Sequence, residues 1–135
     1  MEQLDLGALP RGDGETVLVI DDEASVVTIT SETLQAFGYR VLAATDGADA
    51  VAVYAEHKNE IALVLTDMSM PIMDGPATIR ALRRINPAVK IIAASGLAAN
   101  GGAVKAPNGG IKHFLTKPYT AETLLTTLRK ILDEA

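Results

Sequence analysis

The chain has 135 residues, a formal net charge of −5, 48% hydrophobic residues, 4% aromatics and no cysteine. That length supports one sizeable core and not two, the acidic balance argues against the basic face that nucleic acid or an anionic membrane requires, and the lack of cysteine excludes disulfides, a thiolate nucleophile and a cysteine-based zinc site. No apolar run is long enough to span a membrane, and the stretch from Met1 to Asp5 lacks the basic and apolar regions of a signal peptide, so a cytoplasmic protein is expected.

Residues 1–15, with Pro10, Gly12 and Gly14 among scattered charges, read as a tail or linker, and the folded domain is expected over 16–135. Thr16 to Ile20 is a short apolar strand. Ala24 to Phe37 is a helical stretch stopped by Gly38, a residue suited to the position just past a helix end. Tyr39 to Ala43 is a second strand. Ala48, Val51, Ala52 and Ala55 then fall on one helical face. Ile61 to Leu65 is a third strand, followed by a loop from Asp67 to Gly75. Pro76 suits the first turn of a helix that runs towards Ile85 and stops before Asn86-Pro87. Val89 to Ala93 and Ile111 to Leu115 are the last two strands. Between them, residues 96–110 should hold a further helix, expected to be short or mobile because of Gly101-Gly102, Asn100, Pro107 and Asn108. Thr120 is placed to cap a final helix whose apolar face is Ala121, Leu124, Leu125, Leu128, Ile131 and Leu132.

Strand and helix alternate five times, which predicts an α/β fold, a doubly wound five-stranded parallel sheet with helices on both faces. The first, third and fourth runs are almost continuously apolar, as strands buried on both faces are. The second and fifth carry Arg40, Lys112 and His113 and suit sheet edges. The order 2-1-3-4-5 follows, with ligands bound beyond the carboxyl ends of strands one and three.

Asp21 and Asp22 follow the first strand directly and Asp67 lies just past the third. Aspartate after a strand commonly caps a helix or makes a turn, and either residue taken alone has that reading. As neighbours, however, three carboxylates would repel one another and raise each other's pKa. A divalent cation resolves that conflict, and Mg²⁺ favours one or two carboxylates plus phosphate oxygens. Ser95 follows the fourth strand and Lys117 the fifth. A hydroxyl and an ammonium aimed at the same crevice supply fixed donors for an anion. Together with an oxygen nucleophile and a metal, that is what phosphoryl transfer needs. Asp67 is the natural acceptor.

The segments Val17-Leu18-Val19-Ile20-Asp21-Asp22-Glu23, Leu65-Thr66-Asp67 through Asp74-Gly75, Ala94-Ser95-Gly96 and Phe114-Leu115-Thr116-Lys117-Pro118-Tyr119 resemble the sequence blocks of response regulator receiver domains, a CheY-like superfamily with the flavodoxin-like fold. The resemblance runs from about Thr16 to the end of the chain. It implies that Asp67 is the phosphoacceptor. Asp22 and Asp67 would bind Mg²⁺ directly, Asp21 largely through water, and the main-chain carbonyl of Ser69 would complete the protein ligands. Ser95 would be the hydroxyl that moves to the phosphoryl group, Lys117 the phosphate-binding lysine, and Phe114 either the switch aromatic or a plain core residue. The donor would be a histidine kinase or histidine phosphotransfer protein. The domain would catalyse only its own phosphorylation and slow autodephosphorylation, as a monomer or weak dimer with no nucleic-acid or membrane partner.

The stretch from Leu9 to Thr16 and the strand-five region also resemble receivers of hybrid histidine kinases, so an excised or stand-alone receiver without an output domain is expected. Two rivals remain. A phosphatase of the haloacid dehalogenase type uses similar residues, but its nucleophile follows the first strand and its acidic pair comes late. A receiver that binds partners without phosphorylation often loses a site residue, whereas the acidic set here is complete.

Overall fold

The computed structural model describes residues 9–68, 75–95, 113–117 and 119–134, with the backbone alone at 75, 76 and 95. Five strands form one parallel sheet in the order β2-β1-β3-β4-β5. They are β1 (Thr16–Ile20), β2 (Arg40–Ala44), β3 (Ile61–Asp67), β4 (Ile91–Ser95) and β5 (His113–Thr116). The described helices are α1 (Ala24–Ala36), α2 (Gly47–His57), α3 (Gly75–Ile85) and α4 (Ala121–Leu132). The further helix expected in 96–110 lies outside the described residues.

The strand order and the edge positions are those read from the sequence. All five residues of β1 are buried, while β2 and β5 are partly exposed. Successive side chains on a strand face opposite ways, and the two sets build two cores. Val17, Val19, Leu63, Leu65 and Ile92 pack against α1 and α4 through Leu34, Leu125 and Leu128. Leu18, Ile20 and Val64 pack against α2 and α3 through Tyr54, Ile79 and Leu82. Burying one such side chain contributes about 1.5–3 kcal/mol, so the sheet is held from both faces.

The strand boundaries shift slightly, for local reasons. The β3 ladder outlasts its apolar run, because Thr66 and Asp67 are themselves buried and pair with Ala93 and Ala94. β4 starts two residues late because Asn86 organises a turn: its side chain accepts from Ala88 N–H at 3.0 Å and its carbonyl from Val89 N–H at 3.0 Å. β2 starts one residue late because Tyr39 belongs to the end of α1. There Gly38 takes a φ of +95°, its N–H donates to Gln35 (3.2 Å), and Tyr39 N–H donates to Leu34 (3.0 Å). This is the Schellman arrangement.

Residues 9–15, read from the sequence as tail or linker, lie along this same turn. Gly12 and Gly14 donate to the carbonyls of Phe37 (2.7 Å) and Gly38 (2.8 Å), and Arg40 N–H donates to Glu15 (2.9 Å). A side chain at Gly12 would run into the Tyr39 ring. Arg129 on α4 closes the strap, bonding the Arg11 carbonyl at 3.2 Å and pairing with Glu15 at 3.1 Å and Asp133 at 2.9 Å. Lys90 donates to the carbonyls of Ile131 (3.0 Å) and Glu134 (2.9 Å) at and just past the end of α4, where carbonyls lack the next turn of helix as donor.

Gly38→Ala is expected to cost about 1–3 kcal/mol in urea unfolding, from the left-handed backbone alone. A Cβ there would also press on the Gly12 carbonyl at 2.5 Å. An unchanged unfolding midpoint would mean that the turn and strap carry no stability.

Candidate functional site

Parallel pairing decides what meets at the carboxyl end of the sheet. Ile20 lies opposite Thr66, so the residues that follow, Asp21 and Asp67, share one level. Asp67 lies opposite Ala94, and Ala94 opposite Leu115. Ser95 and Thr116 are therefore one step further on, and Lys117 follows at once.

The three acidic groups converge. Asp21, Asp22 and Asp67 each offer a carboxylate oxygen, all within 4.8 Å of one another. Asp21 and Asp67 are 3% and 6% exposed, whereas Asp22 is open to solvent. Helix capping does not account for the pair, since α1 takes Glu23 as its N-cap, without a side-chain capping bond. Asp21 instead accepts from Glu23 N–H at 3.0 Å, which holds its second oxygen towards the cleft.

Lys117 balances part of this charge. Its Nζ donates to Asp21 Oδ2 at 2.9 Å and lies 3.6 Å from Asp67 Oδ1 and 3.7 Å from Glu23 Oε1. Burial works against the charged lysine. The bond to Asp21 and the charges of Asp21, Asp67 and Glu23 outweigh it and hold its pKa above the ordinary value. Chemically, the cleft offers hard oxygen donors suited to a small divalent cation and one fixed cation suited to an anion.

Over residues 17–129 the chain matches the model of the response regulator receiver domain. The chain belongs to this family. It is a receiver domain of two-component signalling. This receiver is 36% identical over 119 residues to the sensor kinase CckA of Brucella abortus, covering 88% of this chain and 13% of that protein. It is 32% identical over 118 residues to the chemotaxis protein CheY of Bacillus subtilis, covering 87% of this chain and 97% of CheY. Among solved structures, the receiver domain of the sensor histidine kinase PA1611 of Pseudomonas aeruginosa, with a magnesium ion coordinated in its active-site cleft, aligns with a TM-score of 0.81 and 26% identity, covering 90% of this chain and 99% of that one. The chain thus spans a small part of the kinase and nearly all of CheY. The acidic cluster of this receiver fits the family's Mg²⁺ site. No helix among the described residues is long and apolar enough to cross a membrane.

Of the residues singled out in the sequence, Asp21, Asp22, Asp67 and Lys117 come together. Ser95 ends β4 at the rim, opposite Thr116, with its side chain outside what is described. Ser69 also lies outside the described residues. Phe114 is half-buried on β5, opposite Ala93. Two features were missed. Glu23 stands within reach of Lys117, and its place beside the aspartate pair was the available signal. Tyr119, two residues after Lys117, shares a 3.0 Å hydrogen bond with Thr30 of α1.

The pairing of Lys117 has a pH signature. Because its folded pKa lies above the ordinary value of 10.5, the stabilisation is complete below that pH and is lost as pH rises through the folded value. Lys117→Met should therefore show a shallower alkaline loss of stability than the parent, read by urea unfolding. The phenol of Tyr39, raised by burial, contributes equally to both proteins, whereas that of Tyr119, also raised by burial, is held lower by the Lys117 charge, so both curves are taken in a Tyr119→Phe background. Parallel pH curves would show that the pairing adds nothing to the fold.

Proposed function

We propose that Asp67 accepts a phosphoryl group from a phosphohistidine of a histidine kinase or histidine phosphotransfer protein. The observation that carries this is the convergence of three carboxylates and the Lys117 ammonium on one point at the sheet's carboxyl end. An oxygen of Asp67 forms the new bond to phosphorus, the bond from phosphorus to the donor's imidazole nitrogen breaks, and the imidazole leaves with the electron pair and is protonated. The product is an acyl phosphate on Asp67.

Asp21, Asp22, Asp67 and the Ser69 carbonyl would hold Mg²⁺, which when bound neutralises carboxylate and phosphoryl charge. Lys117 already stands 3.6 Å from the acceptor oxygen and is placed to pair with a phosphoryl oxygen. Ser95, at the end of β4, would donate to another and draw its loop towards the cleft, and half-buried Phe114 would report that shift along β5. An apolar groove of about 380 Å³ adjoins the cleft between α1 and the loop after β5. It is lined by Val26, Ile29, Thr30 and Tyr119 and bordered by Glu23 and Lys117, and Ile29 is 64% exposed. Such a surface suits the apolar side of a donor helix whose histidine reaches Asp67. We further read 1–15 as the segment leading into a receiver over 16–135, cytoplasmic and monomeric or weakly dimeric. The likeness to CckA supports an origin in a hybrid kinase.

Incubation with acetyl phosphate and Mg²⁺ should add one phosphoryl group by intact mass, and the gain should vanish in Asp67→Asn or when the metal is chelated. No gain from acetyl phosphate or from a phosphohistidine donor would favour a receiver that binds partners without phosphorylation. Mg²⁺ at a hundredfold excess over its dissociation constant should stabilise the fold by about 2.7 kcal/mol. Asp22→Asn should lose most of that gain; retention of the full gain would remove Asp22 from the metal site.

A further inference from the structure

The loop that delivers Lys117 is short, since β5 ends at Thr116 and α4 begins at Ala121. It is fixed at both ends, by the pairing of Thr116 with Ser95 and by Thr120, whose hydroxyl caps α4 by accepting from Thr123 N–H at 3.1 Å. Between these ends Tyr119 reaches α1, where its hydroxyl and that of Thr30 lie 3.0 Å apart. Thr30 is 3% exposed. A hydroxyl so buried needs a hydrogen-bond partner, and the one it has is Tyr119. A helical threonine commonly turns back on its own helix, as Thr33 does towards the Ile29 carbonyl at 3.0 Å. Thr30 instead spends its hydroxyl on Tyr119.

α1 begins just after Asp21 and Asp22, so a closed circuit results. Asp21 holds Lys117 at 2.9 Å, the chain runs two residues to Tyr119, Tyr119 holds Thr30, and α1 leads back to Asp21. We propose that Thr30 and Tyr119 are positioning residues, a hydroxyl latch that fixes the Lys117 loop against α1 and so sets where the ammonium meets the phosphoryl group. The inference rests on the roles given above to Asp67 and Lys117. Neither hydroxyl touches the reacting atoms.

Tyr119→Phe removes one oxygen and keeps the ring. Amide exchange should quicken at Lys117 and Tyr119 while β1, β3 and the body of α4 stay protected. Phosphorylation by acetyl phosphate, followed by intact mass, should slow about three- to tenfold, the range expected from one lost hydrogen bond. Thr30→Ala should act alike, Thr30→Ser should restore the parent rate, and the double variant should be no slower than either single one. In a Lys117→Ala background, Tyr119→Phe should slow nothing further, which a general loosening of the fold would not reproduce. Parent-like exchange and rate in Tyr119→Phe would overturn the latch, and so would equal slowing with and without Lys117. If exchange quickens but the parent protein itself takes no phosphoryl group, the reading of Asp67 fails and the role of the latch in transfer falls with it.

Discussion

The alignment of β1 with β3 is the constraint on which the site depends. With Ile20 beside Thr66, the residues immediately beyond, Asp21 and Asp67, are forced to the same height at the mouth of the sheet. A one-residue slip would carry every side chain of β1 to the opposite face and scatter the carboxylates. Slippage is resisted because both faces of β1 are packed, one set of residues against α1 and α4, the other against α2 and α3. The apolar interior thus holds like charges where they would not gather unaided. Much of the electrostatic tension is met by Lys117, which arrives from the far strand across the whole width of β3 and β4.

How much of this the sequence discloses depends on the kind of interaction. The strand order is legible because burial on two faces demands uninterrupted Val, Ile, Leu and Ala, while Arg40 and His113 are tolerable only at an edge. The end of α1 is legible because Gly38 takes a backbone conformation that other residues resist. The acidic cluster is legible because strand ends in a parallel sheet all open on one side.

Other features are silent for physical reasons. The extension of β3 through Thr66 and Asp67 is set by main-chain bonding, which carries no hydrophobic mark. The late start of β4 comes from the side chain of Asn86, one polar residue among several in its neighbourhood. Thr30 and Tyr119 are 89 residues apart, and neither type signals a partner at that range. Residues 9–15 have the glycines and charges of a linker. Those same glycines let the backbone come within hydrogen-bonding distance of the turn at Phe37 and Gly38.

The strap and Lys90 also fix the polarity of the molecule. Glu15 enters beside β2 at the amino end of the sheet, tied to Arg129, and the last turn of α4 is pinned to Lys90 just before β4 begins. Incoming and outgoing chain are thereby gathered at one pole, and the acidic cleft opens at the other. Glu15 and the last turn of α4 thus stand at the pole opposite the carboxylates, an arrangement that lets a longer polypeptide carry the domain as a cassette with its acidic cleft turned away from both junctions.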